Sequence, residues 1–186
     1  MRRLAITQNI TLDGSIEILD DWFSPPTDVE EADEDLLEET RAQSGESDTM
    51  LLGRQTFEDF RSYWPLQRDD PTGVAEYLDN VDKYVVSSTL RDPAWQNTTI
   101  LCGDPIEQVR ALKAGPGRDI VTIGSITLCH SLIEAGLVDE YRLFVFPVVQ
   151  GRGRRLFPDG YTRAALRLLD SRRFRGGVAL ARYEAT

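Results

Sequence analysis

One histidine, two cysteines and two methionines are all that 186 residues contain of imidazole and sulfur. His130 stands inside a helical apolar pattern, with no serine, cysteine or carboxylate partner at meaningful spacing, and reads as a helix-surface or packing residue. A Ser-His-Asp hydrolase or a histidine-based zinc centre therefore has almost no raw material, and no metal is expected. Cys102 and Cys129 form neither a ligand pair nor a disulfide framework, and read as reduced, buried thiols of a cytoplasmic protein. Long hydrophobic runs are missing too: nothing approaches the roughly 20 apolar residues that span a bilayer. Gln8 and Asn9 interrupt the N-terminal apolar stretch where a signal sequence would need continuity. Basic side chains are scarce in one place above all, since Arg41 is the only one between Asp13 and Asp48. With a formal net charge of −10, that acidic segment argues against a nucleic-acid partner. The arginines that dominate Arg142 to Arg182 are spaced along strand patterns, as solvated faces and ion pairs would be. Internal repeats, low-complexity stretches and linkers are absent, so residues 1–186 read as one domain.

What is present is an ordinary globular mixture, 41% hydrophobic and 28% charged. The most informative stretch runs from Asp119 to Pro158. Ile120-Val121-Thr122-Ile123 is a β-branched strand stopped by Gly124-Ser125; Ile126 to Ala135 then carries apolar residues at helical spacing, Gly136 caps it, and a second apolar run goes from Val138 to Pro147. Strand, glycine turn, helix and strand make a βαβ unit, whose helix N-terminus offers unpaired N–H groups and partial positive charge to an anion. The same grammar appears earlier. Thr49 to Leu52 is a strand that meets Gly53-Arg54-Gln55-Thr56 at a helix start, and Arg54 has the planar fork that suits a phosphate. Lys83 to Val86 is a strand ending in Ser87-Ser88-Thr89, compact hydroxyl donors at a third strand end.

The remaining segments fill in the frame. Arg3 to Leu12 is a first strand ending in the turn pair Asp13-Gly14, where Asp13 is a turn former or a carboxylate at a ligand-binding edge. Ser15 to Thr27 is irregular and carries Trp22 and Phe23; Asp28 to Ala42 is an acidic helix. The helix opened by Arg54 closes at Tyr63-Trp64-Pro65, and Gln67 to Gly73 is a polar loop. Thr98 to Leu101 is a strand and Pro105 to Ala114 a helix. Gln150 to Arg155, with two glycines, passes close to a ligand or another backbone. Ala165 to Phe174 and Val178 to Tyr183 flank Gly176-Gly177 as an antiparallel hairpin, so the sheet is mixed.

Thr11-Leu12-Asp13-Gly14, Leu52 to Glu58, Val86-Ser87-Ser88, Gly124-Ser125, Glu134 to Glu140 and Leu156-Phe157-Pro158, in this order, carry a resemblance over the whole chain. The sequence resembles the dihydrofolate-reductase-like superfamily, in the branch related to the reductase domain of the bifunctional riboflavin-biosynthesis deaminase/reductase. The resemblance implies a three-layer α/β fold: a mostly parallel central sheet with antiparallel C-terminal strands, and helices on both faces. It also implies a homodimer with NADPH lying across the strand ends. Gly53, Arg54, Thr56, Ser87 and Ser88 would embrace the 2′-phosphate and pyrophosphate, and Gly124, Ser125, Ile126, Thr127 and Leu128 the other side of the pyrophosphate. Hydride would pass to a small heterocyclic or sugar-like substrate, as in 5-amino-6-(5-phosphoribosylamino)uracil reductase. Asp13 is the candidate catalytic residue, and Asp13, Gly14, Trp22, Phe57 and Trp64 are candidates for the substrate wall. Two departures keep alternatives open. No one carboxylate on the acidic helix matches the proton-promoting acid of dihydrofolate reductase proper, and Gly124-Ser125 stands where the riboflavin-pathway reductases often have Gly-Gly. Dihydrofolate reductase itself, or a non-catalytic nucleotide- or small-molecule-binding protein, are the other readings.

Overall fold

The computed structural model describes residues 1–23, 33–163 and 165–186. Its centre is an eight-stranded sheet in the order β4-β3-β2-β5-β1-β6-β8-β7. The strands are β1 (Leu4–Thr11), β2 (Ser47–Gly53), β3 (Asp82–Val86), β4 (Thr98–Leu101), β5 (Asp119–Thr122), β6 (Glu140–Phe146), β7 (Leu166–Arg173) and β8 (Ala179–Ala185). Neighbours from β4 to β6 pair in parallel, and β8 and β7 add antiparallel strands. The helices are α1 (Glu34–Glu46), α2 (Arg54–Tyr63), α3 (Val74–Asn80), α4 (Pro105–Ala114) and α5 (Ile126–Glu134).

Alternation along the strands sends side chains to two separate cores. Leu4, Ile6, Leu51, Ile120 and Tyr141 pack with Val109 of α4 and Leu128, Cys129, Leu132 and Ile133 of α5. Met50, Leu52, Val85 and Val121 face the other way, onto Phe57 of α2 and Leu78 of α3. On that same side, Leu36 of α1 meets Phe144, Phe174, Val178 and Leu180. The chain steps outward from β1 to β4 through α1, α2 and α3, then returns to β5 through α4 and crosses β1 to β6 through α5. Right-handed crossovers in opposite directions put the two helix sets on opposite faces. This is the three-layer mixed architecture expected from the sequence.

Several boundaries differ from the reading of the sequence. The acidic helix runs to Glu46 rather than Ala42, and its expected first residues, 28–32, lie outside the described residues. Helix α3 was not anticipated. It starts where Asp70 accepts from Ala75 N (2.8 Å) and Thr72 Oγ1 accepts from Val74 N (3.1 Å), so the polar loop before it is a cap. Cys102 is exposed at the end of β4, contrary to expectation, whereas Cys129 is buried, and its burial pushes the thiol up to about 12.

Beneath the C-terminal end of α1 lies a buried ion network. Glu140, at 1% side-chain exposure, accepts from Arg142 Nε (2.9 Å) and Arg182 Nε (2.8 Å). The Arg142 Nη2 atom also reaches Asp119 (2.7 Å) and Glu46 (2.9 Å).

Candidate functional site

The C-terminal edge of the parallel strands presents, in spatial order, the ends of β3, β2, β5, β1 and β6. Two helices begin there, side by side. Helix α2 starts from Gly53 and α5 from Ser125; neither has a side-chain cap or an acidic residue in its first turn. The other three helices all carry acid at their starts: Glu34 and Asp35 on α1, Glu76 on α3, Glu107 on α4. First-turn N–H groups left uncapped and free of carboxylates make an anion site.

The two starts are locked together by two hydrogen bonds, and the turn before α5 is tied to β1 by two more. Gly53 N donates to Ser125 Oγ (2.9 Å), and Ser125 N donates to Thr56 Oγ1 (2.8 Å). From β1, the Gln8 amide clasps both main-chain groups of Gly124: Nε2 donates to Gly124 O (2.8 Å) and Oε1 accepts from Gly124 N (3.1 Å). Gly124 (φ 57) and Ser125 (φ 46) are both left-handed, a conformation that strains serine. The hydroxyl offsets that strain by accepting the Gly53 N–H, a bond a second glycine could not make. A Cβ on Gly124 would stand 3.0 Å from Thr56 Cγ2 and Oγ1, so the close approach of β5 to α2 requires glycine.

The structure thus brings Gly53, Thr56, Gly124 and Ser125 into one unit, with the N–H groups of Ile126, Thr127 and Leu128 following along α5. Gly53 is the register partner of Val86, so Ser87 and Ser88 begin beside α2. The Ser87 hydroxyl is turned inward, accepting from Leu90 N (2.9 Å) and Thr89 N (3.2 Å), while Ser88 is exposed. Arg54, the first residue of α2, is half exposed and pairs through Nη1 with Glu58 on its own helix (2.8 Å).

The substrate-side candidates divide. Asp13 and Gly14 lie at the end of β1. The Asp13 carboxylate accepts from Thr11 Oγ1 (2.6 Å), Gly151 N (2.8 Å) and Gln150 N (3.2 Å). Those hydrogen bonds, Thr11 first and then Gly151 and Gln150, lower its pKa to about 2. It is therefore a fixed anion that clamps the loop after β6, and it is poorly suited to donating a proton. Because its folded value lies below the ordinary one, the clamp is complete above about pH 4 and is lost as pH falls toward 2. Asp13→Ala is expected to speed amide exchange at Gln150 and Gly151 at least tenfold at pH 7, as read by hydrogen-exchange NMR. Unchanged exchange there would show that the carboxylate holds nothing.

Trp22 lies in the loop after β1. Its ring meets Phe146 at the end of β6 (5.4 Å, edge-on), with Phe23 beside both. Phe57 and Trp64 do not line the edge. Phe57 is fully buried on the sheet face of α2, against Met50, Leu52 and Val85, because it begins the apolar stripe Phe57-Phe60-Trp64. Trp64 packs on Phe60 and Tyr63 at the far end of α2, some 15 Å from the helix start at 1.5 Å per residue. Three contributors went unforeseen: Gln8, Phe146 and Gln150, whose Oε1 accepts from Trp22 Nε1 (2.8 Å). Among the described residues no group of histidine, cysteine and carboxylates could hold a metal, and no helix is long and apolar enough to cross a membrane.

Known proteins share this fold. The family model described as the RibD C-terminal domain matches residues 2–180. An uncharacterised Bacillus subtilis protein, YyaP, is 35% identical over 188 residues, covering 98% of this chain and 94% of its own. A solved protein from Shewanella sp. PV-4, provisionally assigned to riboflavin biosynthesis, superposes with a TM-score of 0.74 at 18% identity and 99% coverage of both chains. A pyrimidine reductase-like protein from Corynebacterium diphtheriae gives 0.66 at 16% identity, covering all of this chain and 92% of the other. Acinetobacter baumannii RibD gives 0.64 at 15% identity, where this chain spans 58% of a longer protein.

Proposed function

Because this chain belongs to the RibD C-terminal domain family, we propose that it is an NADPH-dependent reductase of a small heterocyclic or sugar-like compound. The observation that carries this reading is the pair of uncapped, acid-free helix starts on α2 and α5, fastened to each other by Ser125 and Thr56. The residues fit a dinucleotide. The α5 start and Gly53 would take the pyrophosphate, and Arg54 with Ser88 the 2′-phosphate beyond it. A nicotinamide coenzyme held there would supply the hydride.

The chain's own part is placement. Gln8, Thr56 and Ser125 fix the bends that receive the phosphates, and the end of β1 would receive the nicotinamide. Trp22, Phe23 and Phe146 would form an apolar wall beyond it. Among the described residues, each carboxylate with a shifted pKa is shifted toward ionisation: Asp13, Glu17, Asp48, Asp70 and Glu140. None of these five is suited to donating a proton at neutral pH, and the proton that follows hydride would then come through water. The same feature gives the non-catalytic binding reading its footing.

Titrations of NADPH and NADH against Arg54→Ala test the assignment. Losing one charge-assisted phosphate contact costs about 1.5–3 kcal/mol, or roughly 10- to 100-fold in NADPH affinity, with NADH changed less than about twofold. Equal losses for both coenzymes would remove the 2′-phosphate role. Tight NADPH binding without oxidation across pyrimidine, pterin and carbonyl substrates would favour the binding protein.

A further inference from the structure

The two halves of the strand-end groove differ in charge chemistry, and the difference selects a substrate class. The half built by α2 and α5 offers free N–H groups and Arg54 to an anion. The half built by β1, β6 and α1 offers the opposite. Residues 13–23 carry Asp13, Glu17, Asp20 and Asp21 and no basic side chain. The start of α1 adds Asp33, Glu34 and Asp35, and its next turn Glu38 and Glu39.

Guanidinium groups do reach this end, and three of them are engaged, whereas the side chains of Arg155, Arg173 and Arg175 have no ion-pair partner among the described residues. Arg152 pairs with Asp20 (2.7 Å), Arg154 with Glu17 (2.9 Å), and Arg172 with Glu39 (2.7 Å) and Asp170 (2.8 Å). Arg173 lines a shallow groove opposite Asp35, Glu38 and Glu39, and Arg175 offers its main-chain N–H to Asp35 (3.2 Å). A phosphate arriving here meets carboxylates that already hold three of the nearby cations. To bond Arg152, Arg154 or Arg172 it would have to break an existing pair, and the carboxylates of residues 13–39 outnumber the guanidinium groups around them. Bound coenzyme adds its own negative charge a few strands away.

An uncharged ring meets a different prospect. Phe146 is the register partner of Thr11, so the aromatic group stands directly beside the end of β1. Trp22 and Phe23 are only half buried. The Trp22 indole is set by Gln150, whose Nε2 is anchored in turn on Ser15 Oγ (2.9 Å), Glu17 O (3.0 Å) and Arg152 O (2.9 Å). One side chain thus stitches the loop after β1 to the loop after β6 and presents a fixed aromatic face.

We propose that this site takes an uncharged or cationic ring compound bearing no phosphate, an inference that rests on the reductase reading above. The surrounding carboxylates repel a phosphorylated counterpart, and the aromatic face binds what remains. The test uses the protein saturated with NADP⁺, so that the dinucleotide groove is filled, and calorimetric titration with paired ligands: riboflavin against riboflavin 5′-phosphate, and uridine against uridine 5′-monophosphate. The unphosphorylated member of a pair is expected to bind at least tenfold more tightly in 50 mM salt, with the gap shrinking in 0.5 M salt as screening grows. The triple variant Asp20→Asn, Asp35→Asn, Glu38→Gln is expected to raise affinity for the phosphorylated members at least fivefold while leaving NADP⁺ affinity within twofold. Equal or tighter binding of the phosphorylated ligands to the NADP⁺-loaded protein overturns the inference alone, as does failure of every ring compound to bind. Failure of NADP⁺ to bind overturns the reductase reading, and this inference with it.

Discussion

Replacing Glu140 with alanine is expected to cost about 3–5 kcal/mol of folding stability, the range found when one partner of a buried charge cluster is removed. The side chain is 1% exposed and one of its oxygens accepts from both Arg142 and Arg182. Arg142 is itself 1% exposed, so without Glu140 it keeps Asp119 and Glu46 as partners but loses the acceptor for its Nε–H. Glu140→Gln keeps a carbonyl acceptor without the charge, and a loss clearly smaller than that of the alanine variant is expected. Urea denaturation of both variants measures this. A loss below about 1 kcal/mol for Glu140→Ala would mean that the cluster is structurally idle. The pH dependence follows from the same geometry. Burial pushes the Glu140 carboxyl up, but hydrogen bonds and charge from Arg142 and Arg182 outweigh it, and its folded pKa lies below the ordinary value. Its contribution is therefore whole at neutral pH and is lost as pH falls through and below the usual carboxylate range. In Glu140→Gln that part of the acid sensitivity should be gone.

Gly124→Ala should damage the site more than the fold. A left-handed alanine costs about 1–2 kcal/mol, and its Cβ would sit 3.0 Å from the Thr56 side chain. Thr56 is β-branched and already committed to Ser125 N, so it yields only by giving up that bond, worth about another 1 kcal/mol. The sum, about 2–3 kcal/mol, leaves a folded protein whose two helix starts no longer face each other correctly. NADPH affinity is expected to fall roughly 30-fold or more, an estimate that converts about 2 kcal/mol of lost alignment. Fluorescence titration of NADPH, alongside a melting curve showing that the variant is folded, decides the matter. Unchanged affinity in a folded variant would place the coenzyme elsewhere.

Much of this was legible in the residues. The strands β3, β4 and β5 and the helices α2 and α4 fall within a residue or two of their expected limits, because glycine, proline and serine mark their ends so clearly. Two of the three strand ends are marked by an apolar run, a glycine and a helix start, and the third by serines that close a strand. Phe57 misled because Thr56 beside it meets Ser125 at the edge, while one more step around a 3.6-residue turn faces the core. Gln8 was visible as an amide interrupting an apolar strand. Its purpose was hidden because its partner, Gly124, lies 116 residues away. Gln150 was hidden for the same reason, since its partners Ser15, Glu17 and Trp22 belong to the other end of the chain. Long-range hydrogen bonds leave no local pattern to read.

The position of β1 has a consequence for how the molecule comes into being. It leaves the ribosome well before both of its neighbours, which enter only at Ile120 and Glu140. Until more than a hundred further residues have been synthesised, both edges of the nascent strand stay open, and β2, β3 and β4 can assemble without it. Closing such distant pairings is slow, and an unpaired apolar strand invites association with other chains. The polar interruptions at Thr7, Gln8 and Asn9 blunt that hazard during the wait, and one of them later becomes the clasp on Gly124.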